Sequence, residues 1–276
     1  MATLTVNAQQ PKSGERPFVL GVTRTIRSTV LSENRTLNIY LPEGYNASDT
    51  ITYPVVYLLD GSADEDFIHV AGLYQYYSFP WIQRVPKSIV VGIATVDRRR
   101  DFTYPTSIEK DRERYPTSGQ SARFIAFIEK ELQPYIASQY RISASRTLIG
   151  QSLGGLLATE ILFSKPGLFD RYIIVSPSLW WDNGSLLQRQ PALLQPGFRQ
   201  PLSVYIGVGK EGLTPGDQPR VMEVDVNLLA EKIAKTKSPA VQVFFDYLPA
   251  EDHATILHPA LINALRLLNS PQERHP

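Results

Sequence analysis

Cysteine is absent from the 276 residues. That excludes a thiol nucleophile, a disulfide framework and any thiolate metal site. Histidine is scarce: there are four, at positions 69, 253, 258 and 275. No His-Glu-x-x-His pattern joins any two of them, so metal-assisted hydrolysis finds no motif here, and no metal or organic cofactor is expected. No apolar run reaches the ~20 residues that a bilayer crossing needs. An excess of either charge is also missing. The 28 Lys and Arg against 27 Asp and Glu leave a net charge of +1, so no global field points to nucleic acid or a membrane. No basic stripe alternates with aromatics, and no internal repeat or low-complexity linker divides the chain.

What remains has the composition of a globular enzyme, with 43% hydrophobic and 20% charged residues. Residues 16–270 are expected to form one domain. Residues 1–15 precede it, either as a short disordered tail or as the remnant of a secretory signal, with small residues at Val6 and Ala8 where a signal peptidase would cut. Cysteine absence fits the periplasm and the cytoplasm equally.

Apolar, β-rich runs recur along the chain. Strands are expected at 35–41, 53–60, 88–95, 147–150, 172–176, 202–208 and 241–248. Helical stretches separate them: 121–140, tightened or kinked at Pro134; 153–164, stopping before Pro166; 224–235; and 255–268, despite Pro259. Strands alternating with helices imply a mostly parallel sheet covered on both faces. The segment 18–41 reads as hairpin strands added at an edge. The Pro/Gly-rich pieces 191–201 and 212–219 read as loops over one end of the sheet.

The strand at 147–150 runs into Gly150-Gln-Ser-Leu-Gly154 and out into a helix from about Leu153. A serine at such a corner has its hydroxyl lifted above the carboxyl end of the sheet. Side chains two before and two after would crowd the turn, so glycine is needed at both places. The helix start then aims N–H groups and a positive dipole end at the site. The bland alternative for Ser152 is a helix N-cap after a glycine turn.

A serine hydroxyl needs a base. His69 precedes the serine, His258 lies within the last helix, and His275 is next to the terminus. His253 directly follows the last strand and is the candidate base, with a solvent-exposed loop histidine as its alternative. The orienting acid should follow the next-to-last strand. Glu211 stands just past its end, Asp217 lies a little further on, and Asp182, after the preceding strand, is the fallback. The oxyanion hole is expected from the N–H of Leu153 plus that of Ser62, in the loop after the strand ending Leu58-Leu-Asp-Gly61.

Several blocks carry a resemblance. They are Tyr53-Pro-Val-Val-Tyr-Leu-Leu-Asp-Gly61, Arg98-Arg-Arg-Asp-Phe-Thr103, 127–136, Gly150-Gln-Ser-Leu-Gly-Gly155, Ser176-Pro-Ser-Leu-Trp-Trp-Asp182 and Glu251-Asp-His253. Together, over roughly residues 25–268, the chain resembles the putative esterase family of α/β-hydrolases. That family takes in esterase D, the mycolyltransferases and the esterases that open ferric trilactone siderophores; the siderophore branch is nearest. The resemblance implies an α/β-hydrolase fold, Ser152 as nucleophile and His253 as base. Some siderophore-branch members work with a Ser–His pair alone, which bears on Glu211. Arg98 or Arg100 would lie near the site and bind an anionic substrate, or else form a solvated basic loop. The chain departs from the family at Gln151, where histidine is common, and at Asp101-Phe-Thr-Tyr-Pro105, where the family's proline is displaced by one.

Trp180 and Trp181 would line an aromatic pocket, with Tyr74, Tyr76 and Tyr77 as companions, or pack in the core. The reading these residues support is a serine carboxylic-ester hydrolase working through an acyl-enzyme on a small-molecule ester. Its candidate substrates are a siderophore lactone, a sugar ester or a small thioester. The alternatives are acyl transfer to an alcohol and a catalytically silent hydrolase-fold binding protein.

Overall fold

The computed structural model describes residues 14, 16, 18–215 and 218–269. The stretch around Val6–Ala8, Asp217 and His275 lies outside them. Eight strands form one sheet: β1 (Val22–Ser28), β2 (Glu33–Tyr40), β3 (Tyr53–Leu58), β4 (Ile89–Ile93), β5 (Ile142–Gln151), β6 (Arg171–Val175), β7 (Leu202–Gly209) and β8 (Val241–Leu248). Their spatial order is β1-β2-β4-β3-β5-β6-β7-β8. The first two strands pair antiparallel with each other, and β2 pairs antiparallel with β4. Every later pairing is parallel. This is the α/β-hydrolase fold, with the antiparallel strands at the N-terminal edge.

The helices are α1 (Phe67–Tyr77), α2 (Arg98–Phe102), α3 (Glu109–Arg114), α4 (Ser121–Phe127), α5 (Gln133–Gln139), α6 (Leu153–Ser164), α7 (Ser185–Gln188), α8 (Met222–Ala234) and α9 (Leu257–Leu268). Because strand side chains alternate, the sheet has two apolar faces. Val55 and Tyr57 face the core shared with α4, α6 and α8. Val56 and Leu58 face the core shared with α1 and α9. Among the described residues, no helix is long and apolar enough to cross a membrane.

Three differences from the sequence reading have physical causes. First, the helix expected over 121–140 is broken by a π-helical turn at Ile128–Leu132, where the Gln133 N–H reaches back to the Ile128 carbonyl. The wide turn falls just ahead of Pro134, which has no N–H of its own to give. Second, β5 begins at Ile142, well before the apolar run. Its polar first half is held by ladder bonds to β3, with Tyr53 opposite Ile142. Third, α1 was not foreseen. Its residues are aromatic and β-branched, a weak helix composition. Yet Phe67, Val70, Ala71, Tyr74 and Tyr77 are buried at helical spacing. Pro259 is accommodated because it is the third residue of α9, where the N–H has no helical partner anyway.

Candidate active site

Strand β5 is buried on both faces as it approaches Gln151, and α6 is buried almost all round. The turn between them therefore has no freedom to relax. Ser152 sits at it with φ +58 and ψ −119, a conformation that an L-residue adopts only when its surroundings impose it. The flanking glycines explain how. A Cβ on Gly150 would lie 2.4 Å from the Gly154 carbonyl oxygen. One on Gly155 would lie 2.9 Å from Pro177 Cα, whereas one on Gly154 would press on the Asp60 carboxylate at 3.3 Å, a tight contact that a side chain can relieve. Gly150 and Gly155 are thus the tighter pair at this turn.

The Ser152 hydroxyl makes no N-cap bond to its own helix. Instead it stands 3.0 Å from His253 Nε2 and 3.3 Å from the Ser178 hydroxyl. His253 Nδ1 is 2.5 Å from Glu211 Oε2. The other Glu211 oxygen accepts from the Ser176 hydroxyl and from the Gly209 N–H at 3.3 Å. Burial works to raise the Glu211 pKa, but the hydrogen bonds from His253 and Ser176 outweigh it and hold the carboxyl below its ordinary value. The loops carrying the two groups are sewn together, since the Lys210 N–H donates to the Glu251 carbonyl at 2.7 Å. Gly209 packs too closely on that same carbonyl for any side chain.

Gln151 fixes the histidine loop from the other side. Its amide donates to the His253 carbonyl at 2.6 Å. Its own carbonyl accepts from Arg98 Nη2 at 3.2 Å, and Arg98 Nε reaches both oxygens of Asp60 at 2.9 and 3.0 Å. The loops after β3, β5 and β8 are therefore one polar network around Ser152.

The helix α6 opens at Leu153, so its N–H lacks a carbonyl four residues back. In the β3 loop, the Leu59 and Gly61 N–H groups are taken by the Ile149 and Ile93 carbonyls. Asp60 lies between them with φ +53 and packs against Gly154. Leu153 lines the cavity at Ser152, whereas neither Ser62 nor Asp60 does.

That cavity, of about 220 Å³, is lined by Arg98, Arg99, Tyr115, Ser178, Trp180 and Trp181 among others. Arg98 and Trp181 are brought to the site as the sequence suggested, although Trp181 is 1% exposed and its indole N–H is tied to the Tyr104 carbonyl. Arg100 is not. It turns to the opposite side of α2, where Glu33 and Asp101 hold its guanidinium. Two residues apart on a helix is a rotation of about 200°, so Arg98 and Arg100 face nearly opposite ways. Arg99, not singled out from the sequence, faces the cavity and lies 4.3 Å over the Tyr115 ring.

Asp182 stands apart from His253. It accepts from the Ser107 N–H at 2.6 Å and from the Ser107 and Thr106 hydroxyls, clamping the loop after α2. Tyr74 and Tyr77 are buried against the sheet, and Tyr76 points to solvent at the end of α1. None of the three joins the cavity. His69 and His258 meet edge to face on α1 and α9. Ser176, Ser178 and Asp60 escaped the sequence reading as site residues. The signal that was available is the Ser176-Pro-Ser178 block itself, placed at the end of a strand adjoining β5.

The Putative esterase family model matches residues 28–268. This chain belongs to that family. It is a serine carboxylic-ester hydrolase by that membership and by its relatives. It is 30% identical over 258 residues to the ferri-bacillibactin esterase BesA of Bacillus subtilis (strain 168), covering 88% of each chain. Among solved structures it is similar to an IroE-like serine hydrolase from Shewanella oneidensis, with a TM-score of 0.79 at 33% identity over 90% of this chain and 80% of that one. It is likewise similar to the BES protein from Bacillus cereus, with a TM-score of 0.79 at 26% identity, covering 95% and 99%.

Proposed function

We propose that Ser152, His253 and Glu211 are the catalytic triad of this esterase and that its substrate is a bulky, anionic aromatic ester of the siderophore-lactone type. The observation that carries the catalytic reading is the unbroken line from Ser152 Oγ to His253 Nε2 and from Nδ1 to Glu211. Ser152 attacks the ester carbonyl while His253 takes its proton at Nε2. The Nδ1–H, held by anionic Glu211, fixes the tautomer and stabilises the imidazolium. The N–H group of Leu153 receives the developing oxyanion, and such a donor is worth about 3 kcal/mol in the transition state. The protonated His253 then delivers its proton to the leaving alcohol, and the acyl group stays on Ser152. Water, deprotonated by the same imidazole, releases the acid.

The substrate reading draws on the relatives' names and on the cavity. Asp60 neutralises Arg98, but the Arg99 guanidinium has no carboxylate partner among the described residues and lies on an aromatic ring beside Trp180. An anionic aryl group suits that pair. A cavity of about 220 Å³ is below the ~300–1,000 Å³ of sites that enclose a drug-sized ligand. It takes one arm of a trilactone and leaves the rest outside.

Two measurements test the proposal. A fluorophosphonate probe should label Ser152 stoichiometrically, and labelling elsewhere or not at all would refute the nucleophile. Ferric trilactones should exceed p-nitrophenyl acetate in kcat/KM; the reverse order would leave a general esterase.

A further inference from the structure

The opposite end of the sheet carries a surface that the ester chemistry does not use. After α1 ends at Tyr77, the chain folds back on itself in a tight hook. The Ile82 and Gln83 N–H groups both donate to the Phe79 carbonyl at 2.9 Å, and the Arg84 N–H donates to the Tyr77 carbonyl at 2.9 Å. Gln83 holds φ +47, and its side-chain amide closes on the Pro80 carbonyl at 2.7 Å. Val85 anchors the hook in the core at 4% exposure.

This rigid loop presents apolar rings to solvent. Trp81 is 77% exposed and stacks on Phe79 at 4.7 Å, and Phe79 meets the exposed Tyr76 edge-on. Ordering a strained loop to expose a tryptophan runs against the hydrophobic effect unless something covers the ring.

Beside the hook lies a cavity of about 800 Å³ at the amino ends of β6, β7 and β8. Arg84, Lys87 and Arg171 line it together with Phe244 and Leu267, and no carboxylate does so among the described residues. Lys87 donates to the Glu43 carbonyl and Arg171 to the Asn269 side chain, both neutral acceptors, and neither cation forms an ion pair among the described residues. Rings beside cations of one sign match an anionic lipid surface, where Trp and Tyr seat at the headgroup level and Lys and Arg meet phosphates. A second copy of this chain in two-fold contact would bring like charges together. A neutral glycan offers nothing to three cations.

We propose that this amino pole docks on an anionic membrane surface through Trp81 and Phe79, with Arg84, Lys87 and Arg171 engaging headgroup phosphates. Strands β6, β7 and β8, of 5, 8 and 8 residues, separate it by roughly 20 Å from the carboxyl end where Ser152 lies, so the docked enzyme keeps its ester site facing water. The inference is independent of the catalytic assignment.

The test is cosedimentation of the whole chain with phosphatidylglycerol or phosphatidylcholine vesicles, read with tryptophan emission. The protein should partition onto phosphatidylglycerol with a blue shift, weaken with added salt and ignore phosphatidylcholine. Trp81→Ala should weaken partition about tenfold, and Arg84→Gln and Lys87→Gln about fivefold each. Turnover of p-nitrophenyl acetate should be unchanged in all three variants. No partition, partition undiminished in Trp81→Ala, or retention on polyglutamate without vesicle binding would overturn the proposal.

Discussion

The two poles of the sheet differ in what they hold under tension. At the carboxyl pole the tension is in the backbone: Asp60, Ser152, Ser176, Asp182 and Asn183 all have positive φ. The side chains of Asp60, Ser152 and Ser176 are nonetheless bonded into the network that runs from Arg98 through Gln151 to His253 and Glu211, and Asp182 bonds Ser107 and Thr106. Among the described residues of the amino pole the backbone is eased, apart from Gln83, and what stands unsatisfied is surface: an exposed tryptophan and a cavity lined by cations but by no carboxylate. Strain with full hydrogen bonding is the mark of preorganised chemistry, and rigid exposure is the mark of an unfilled contact.

That contrast is sharpest at Ser152. Ser152→Ala should lower kcat/KM on p-nitrophenyl acetate by about 10⁵-fold without changing the unfolding midpoint. His253→Ala should lose ~10³-fold or more, and the double variant should be no worse than Ser152→Ala, because the residues act as a unit. Activity within 100-fold of wild type in Ser152→Ala, measured by initial rates, would remove the nucleophile. Glu211→Ala comes next, with an expected loss of about 10³-fold from a misdirected tautomer. A loss below tenfold would mean a Ser–His pair that does without the acid.

The arginine triplet on α2 divides the same way within three residues. Arg100→Gln breaks a charge cluster in which Arg35 and Asp101 are buried. It should lower stability by about 2 kcal/mol, measured by urea unfolding, and leave KM alone. Arg99→Gln should do the reverse, raising KM for an anionic aryl ester about tenfold with kcat on p-nitrophenyl acetate unchanged. If the two variants behave alike, the division of α2 into a site face and a structural face is wrong.

Much of the carboxyl pole was legible because its chemistry is local in sequence. Gly150, Ser152 and the strand-to-helix switch stand within a few residues, and His253 is marked by following the last strand. Glu211 could be picked by its position after β7, but the choice over Asp182 rests on the hydrogen bonds of Ser107 and Thr106, which no spacing reveals. Arg98, Arg99 and Arg100 are indistinguishable in composition, and a helix of one turn shows no periodicity to tell which faces in. The amino pole was hidden for a different reason. A net charge of +1 averages away a patch built from Arg84, Lys87 and Arg171, which meet only when the start of β6 is folded beside the loop after α1. The helix α1 itself was obscured because its aromatic content argues for strand while its buried spacing argues for helix.

The smallest expected effect lies where the carboxyl pole is least satisfied. Asp66 caps α1 without making a side-chain cap bond. Burial, helped by the nearby charges of Asp60 and Glu65, pushes its pKa up to about 6. A carboxyl whose folded pKa exceeds its unfolded value near 3.8 binds its proton more tightly in the native state. Stability is therefore lost as pH rises through the interval from about 4 to about 6, and the loss is constant above it. Asp66→Asn removes the ionisation without removing a cap. The variant should match wild type at pH 3.5 and exceed it by about 1 kcal/mol at pH 7.5, partial solvent exposure screening the effect to that size. Urea unfolding at the two pH values measures the difference. A variant equally stable or less stable at pH 7.5 would show that Asp66 is stabilised as the anion, placing it within the satisfied network around Arg98.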